Sequence, residues 1–234
     1  MLFRPDEYKI RFEIFKELDS LTYPFTFGEF WRRKLALENE TKSILDTGNL
    51  ESTYNKLSIT LRKWRWARPY SLARLSKGLS LSLHNMQDAY AELRRYSLLE
   101  VEEIPDDLLR KVWHEMGCVK NFGKNSGGYY LVMGATKPLM FVWGQTPAFD
   151  SVVRRRMPKF GITGITYDYW NYETWKQVLV KFKEEIEQQD GLIEFLRATT
   201  KQEYKTDKIV PYGQLIDLYY WTQPKPCNTH WSAR

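Results

Sequence analysis

The fold class predicted for this chain is mainly α, with little or no sheet and two helical lobes around a cleft. Three observations predict it. Apolar residues recur at helical spacing along most of the 234 residues. Capping and breaking residues bracket those stretches, with short polar connections between them. Strand-like alternation is confined to one stretch, Lys159 to Asn171, where Ile162, Ile165 and Tyr167 give weak support for a short strand.

Taken in order, Pro5 and Asp6 open a helix carrying Tyr8, Phe12, Phe15 and Leu18. Thr26 and Glu29 then have the form of a capping box ahead of Phe30, Trp31 and Leu35. Leu50, Tyr54, Leu57, Leu61 and Trp64 mark the clearest amphipathic helix of the first half, stopping at Arg68 and Pro69. Residues 70–84 read as a short helix or loop, and a helix follows over about Asn85 to Leu99. Pro105 suits a first helical position, and Asp106 and Asp107 favour the positive end of the dipole of a helix that Gly117 is placed to end. The polar stretch Val119 to Gly128 is the best hinge candidate. It divides approximate lobes 21–120 and 121–234, with 1–20 a candidate to pack on the second. Asn171 caps a helix carrying Trp175, Val178, Leu179, Phe182 and Ile186, helical character resumes after Asp190 and Gly191, and Pro211 starts a last helix ended by Pro224 and Pro226.

Composition narrows the function classes. Hydrophobic residues make up 43% of the chain and no run approaches a membrane span, so a cytoplasmic protein, expected to be a monomer, is the default. Two isolated cysteines, Cys118 and Cys227, and three dispersed histidines, His84, His114 and His230, give no metal-ligand spacing, and no cofactor is expected. His114 reads as a surface or cap histidine. The net charge of +6 is grouped at Arg62 to Arg68, Lys120 to Lys124 and Arg154 to Lys159, which suits a polyanion or, more blandly, a solvated surface.

Unlike chemistry is densest between Ser126 and Met157. Gly134 to Lys137 reads as a turn with exposed N–H groups, after which Lys137 would begin a short helix. An apolar run, Leu139 to Trp143, follows, with Gly144 placed to end it. Asp150, between Phe149 and Val152, either caps the next helix through the N–H groups of Val152 or Val153 or is held for chemistry, and both roles are compatible.

Gly134, Lys137, Pro147, Asp150, Ser151, Val153, Arg154 and Arg155 together resemble the core of the helix-hairpin-helix DNA glycosylases. The resemblance implies a glycine hairpin that grips a DNA phosphate and an aspartate that assists cleavage of the base–sugar bond. On that basis Asp150 and Lys137 are the catalytic candidates, and Gly134, Ala135, Thr136, Lys124, Ser126, Ser151, Arg154 and Arg155 the candidate DNA contacts. The expected substrate is double-stranded DNA with a flipped base, and Trp64, Trp66, Trp143 and Trp170 are candidates to line the base pocket. A carboxylate beside the sugar would stabilise the positive charge that develops as the N-glycosidic bond breaks. Lys137, with Pro138 beside it, reads as a phosphate contact or structural cap, which favours a monofunctional hydrolase. Two other classes remain open: a catalytically inactive helical DNA-binding module, and a nuclease in which Asp106, Asp107 and Glu115 hold Mg²⁺.

Overall fold

A computed structural model describes residues 30–32, 34–37, 43–63, 66, 72–121, 127–204 and 210–223. Among them the fold is mainly helical. Residues 30–37 are helical where described, followed by α1 (Thr47–Lys63), α2 (Leu72–Asn85), α3 (Gln87–Leu93) and a 3₁₀ turn, Leu98–Glu100. Next come α4 (Asp106–Asn121), β1 (Tyr130–Leu131), α5 (Val132–Val142) and α6 (Ser151–Arg156). The chain then passes through β2 (Tyr169–Trp170), α7 (Tyr172–Glu187), α8 (Leu192–Tyr204) and α9 (Tyr212–Thr222). The two strands form an antiparallel ribbon with Tyr130 opposite Trp170 and Leu131 opposite Tyr169.

The buried apolar side chains, from Phe30 to Tyr220, form one connected cluster. Its centre is α5, in which every residue except Met133 is buried. Burial on all sides overrides the weak helix propensity of glycine and threonine, so the expected turn at Gly134 to Lys137 is helix and the helix starts at Val132, ahead of Lys137. Proline inside a helix removes one N–H, and here Pro138 leaves the Gly134 carbonyl without its usual partner. The Trp66 indole N–H donates to that carbonyl at 3.3 Å. As anticipated, the helix ends at Gly144, whose φ of +82° carries the chain into the left-handed region.

Elsewhere the expected breaks shift for identifiable reasons. Gly117 lies inside α4 rather than at its end, because the Tyr130 ring packs where a side chain would be: a Cβ there would lie 2.2 Å from Tyr130 Cγ. Residues 72–85 are fully helical. The helix expected over 85–99 divides into α3 and the 3₁₀ turn, which is closed by a Ser97–Glu100 capping box. Asn171 caps α7 by accepting from the Thr174 N–H at 2.9 Å. The helix expected near residues 5–20, the Thr26 cap, Pro224 and Pro226 fall outside the described residues, as do positions 122–126 of the proposed hinge.

Among the described residues no helix is long and apolar enough to cross a membrane.

Candidate functional site: a buried lysine between two aspartates

Residues 144–149 connect α5 to α6, and all of them are buried. Buried backbone demands hydrogen-bond partners, and side chains from other elements supply them. Gln145 donates through Nε2 to the Val210 carbonyl and accepts from the Leu98 N–H through Oε1. The Trp175 indole donates to the Thr146 hydroxyl, and the Gly213 N–H donates to the Gly144 carbonyl at 2.9 Å. Thr136 Oγ1 lies 2.6 Å from the Ala148 carbonyl oxygen, tying the strap to α5. At its end Phe149 has φ +44°, a conformation that costs a bulky residue about 1–3 kcal/mol. Its ring is held against Trp170 and Phe182, and its carbonyl accepts from Arg154 Nε at 3.1 Å. The strained residue aims the next one, Asp150.

The two oxygens of Asp150 have separate tasks. Oδ1 accepts from the N–H groups of Val152 (2.9 Å) and Val153 (3.1 Å), capping α6 as its position in the sequence suggests. Oδ2 faces Lys137 Nζ at 3.9 Å and accepts from the Trp221 indole N–H at 3.1 Å. The lysine and aspartate side chains are 7% and 14% exposed, so the pair is almost enclosed, with the opening on the aspartate side. Trp221, 49% exposed, stands at that opening.

A third ionisable group, Asp217 on α9, completes the cluster and is buried. Its Oδ1 accepts from the Ala148 N–H at 2.9 Å. Burial, reinforced by the charge of Asp150, pushes the Asp217 carboxyl up to about 7 against the opposing pull of Ala148 N–H and Lys137. Burial also draws the Lys137 ammonium below the ordinary lysine value, opposed by the two aspartates. One buried lysine, one nearly buried carboxylate and one buried carboxyl that titrates near neutrality thus lie in one cluster.

These assignments predict a pH signature. Asp217 ionises near 3.8 in the unfolded chain and near 7 in the folded one, so between those values the folded state holds a proton that the unfolded state has lost. The Asp217 contribution to stability is therefore fully present below about pH 4 and is lost as the pH rises through 7, at up to about 1.4 kcal/mol per pH unit. Asp217→Asn preserves an acceptor for Ala148 N–H and removes the titration. Chemical denaturation from pH 4 to 7 is expected to show wild type losing stability relative to this variant as pH rises. Parallel curves would contradict the placement of Asp217.

The structure brings together Lys137 and Asp150, the two catalytic candidates, and adds Asp217 and Trp221. It redistributes the other candidates. Gly134, Ala135 and Thr136 are buried inside α5, so their backbone is not a phosphate grip. Trp66, Trp143 and Trp170 are buried core residues rather than pocket walls, and their indole N–H groups donate to the carbonyls of Gly134, Tyr96 and Tyr167. Arg154 is a tether: it donates to the Phe149 and Tyr167 carbonyls and pairs with Asp168. Ser151 and Arg155 are exposed and lie together on the outer side of α6. Lys124, Ser126 and Trp64 lie outside the described residues.

Asp106, raised above as a metal ligand, is engaged by the Tyr172 hydroxyl, Lys176 and Arg110, which hold its carboxyl well below the usual range. Among the described residues no group of three His, Cys, Asp or Glu side chains is placed to hold a metal ion. A separate groove of about 450 Å³ between α1 and α2, lined by Leu50, Tyr54, Lys77, Leu81 and His84 among others, contains none of the cluster residues.

Asp217 and Trp221 were missed for different reasons. Asp217 had a signal: it is the lone charge in the apolar run Leu215 to Trp221, where a charge must be either paired or neutral. Trp221 had none, since its helical spacing matches that of its core neighbours. Comparisons with protein-family models, with curated proteins and with solved structures find no match.

Proposed function

We propose that the protein is a DNA N-glycosylase that turns out a damaged or modified base and hydrolyses its bond to deoxyribose, with Asp150 as the carboxylate at the sugar. The observation that carries this reading is the division of labour at Asp150. One oxygen is fixed by two backbone N–H groups, and the other, on a side chain that is 14% exposed, lies between Lys137 and the exposed Trp221. A carboxylate preorganised in a dry site stabilises the developing oxocarbenium charge far better than one in water. Trp221 supplies an exposed indole face beside that oxygen for a base that has left the stack. Arg155 and Lys159 are exposed nearby and suit the phosphates.

In this reading the chain keeps the carboxylate and basic flank of the helix-hairpin-helix glycosylase pattern without the glycine grip. Two lobes, about 21–120 and 121–234, belong to the same proposal, with Lys137, Asp150, Asp217 and Trp221 all on the second. Lys137 acts as a charge partner: its ammonium is paired with Asp150 and enclosed, which leaves little room to attack a sugar aldehyde. Borohydride reduction during turnover is accordingly expected to trap no covalent DNA adduct. An adduct that disappears in Lys137→Ala would make the enzyme a lyase as well.

The testing experiment is a panel of duplexes carrying uracil, oxidised, alkylated or phage-type modified bases, each scored for alkali-sensitive sites. At least one should be converted. The second reading, a helical DNA-binding module without chemistry, draws on Asp150's capping bonds and predicts salt-sensitive binding with no conversion of any duplex.

A further inference from the structure

The β1–β2 ribbon has two unlike faces. Tyr130 and Trp170 lie directly opposite one another and are buried, Tyr130 against Gly117 and Trp170 against Phe149. Side chains alternate along a strand, so the other face carries Leu131 and its partner Tyr169. Continuing the same register places Tyr129 opposite Asn171, and Asn171 Nδ2 reaches the Tyr129 hydroxyl at 3.5 Å. Tyr167 stands two residues before Tyr169, at the entry to β2. All three tyrosines are at least half exposed, Tyr167 the most at 68%. Three large rings thus present at least half of their surface to solvent on one short ribbon.

The surroundings say what would cover them. Residues 151–171 hold four cations, Arg154, Arg155, Arg156 and Lys159, against one acid, Asp168, which Arg154 already pairs. Arg154 also donates to the Tyr167 carbonyl, so the ribbon is one side chain away from the helix that Asp150 caps. Exposed aromatic rings close to an excess of positive charge fit a strand that is both stacked and polyanionic, the charge complementarity that selects DNA as the occupant.

We propose that Tyr129, Tyr167 and Tyr169 form a stacking platform for unpaired DNA nucleotides flanking the target base, so that this chain prefers single-stranded or locally opened DNA to closed duplex. The choice of DNA rests on the glycosylase reading above; the preference for unpaired nucleotides rests on the ribbon alone. Bases stack on tyrosine whatever their sequence, so the preference is expected to be tolerant of sequence and weakened by salt.

The test is fluorescence anisotropy at low salt with a labelled 12-nucleotide oligothymidine, a mixed-sequence single strand and the duplex of that sequence. These probes are titrated with wild type, Tyr167→Ala/Tyr169→Ala and Tyr129→Ala, with thermal melting as the control for folding. Wild type is expected to bind both single strands more tightly than the duplex. The double variant is expected to lose tenfold or more in single-strand affinity with its melting unchanged. Equal affinity for strand and duplex, or variants that bind as wild type does, would overturn the proposal, as would a double variant that changes only self-association. Base release is scored separately. Strand binding that needs the tyrosines, without base release from any substrate, keeps the platform and removes the glycosylase reading. Base release with tyrosine-independent binding does the reverse.

Discussion

Asp150→Asn is expected to keep the cap of α6 but to lose stability, because its Nδ2 would face the enclosed Lys137 ammonium and the Trp221 N–H, and in its folded fraction to release base at a rate lower by about 10²–10³. Asparagine is as good an N-cap as aspartate, so the bonds from Val152 and Val153 to Oδ1 have a replacement acceptor and α6 keeps its start. What disappears is the negative charge at Oδ2, the atom at the opening beside Trp221 and Lys137. The substitution therefore separates the two tasks that one side chain performs. A variant that remains folded at the assay temperature and has lost turnover supports the assignment. A folded variant that releases base at the wild-type rate would reduce Asp150 to a cap.

Gly213→Ala is expected to destabilise the protein by more than about 4 kcal/mol, beyond the usual range for single substitutions. A Cβ at this position would lie 2.2 Å from Thr146 N, 2.4 Å from Thr146 C and 2.5 Å from Gln145 C. All three are backbone atoms of a strap that is buried and bonded on every side, so no flexible side chain can move away. The Gly213 N–H also donates to the Gly144 carbonyl. Displacing α9 from the strap would break that bond and carry Asp217 and Trp221 away from Asp150, so any folded fraction should also lose activity. Gly48 in α1 is the control: nothing lies within 4 Å of a Cβ there and its backbone is helical, so Gly48→Ala should be neutral or stabilising by up to about 1 kcal/mol. Urea denaturation of both variants decides this. A Gly213→Ala protein as stable as wild type would contradict the close contact of α9 with the strap.

What was legible in the sequence was periodicity and local chemistry. The apolar stripe of α7, its Asn171 cap, the stop at Gly144 and the capping geometry at Asp150 all depend on residues within a turn or two of one another, and each is found where it was expected. Glycines were less readable, because a glycine needed for close approach looks like one needed for a turn. Gly117 and Gly134 were both read as breaks. One makes room for the Tyr130 ring, and the other sits in a helix buried on all sides.

Tryptophans posed the same difficulty in another form. Trp143 and Trp170 fill the core, and Trp66 satisfies the Gly134 carbonyl, 68 positions along the chain, that Pro138 orphans, a relation that no local pattern encodes. The exposed indole beside Asp150 belongs instead to Trp221, 71 residues away in sequence. The candidate site was therefore half visible. Lys137 and Asp150 lie in one short stretch of unusual chemistry, whereas Asp217 and Trp221 reach it only because α9 packs on the strap through Gly213.

The central claim is that the carboxylate of Asp150 serves the cleavage of a base–sugar bond. Its most direct test is detection of the free base by mass spectrometry, with the DNA strand recovered intact before alkali treatment, over the full panel of modified bases with wild type and Asp150→Asn side by side. The account predicts stoichiometric free base and an unbroken strand for at least one modification with wild type, and none with the variant. No free base from any member of the panel, or equal amounts from both proteins, would contradict it.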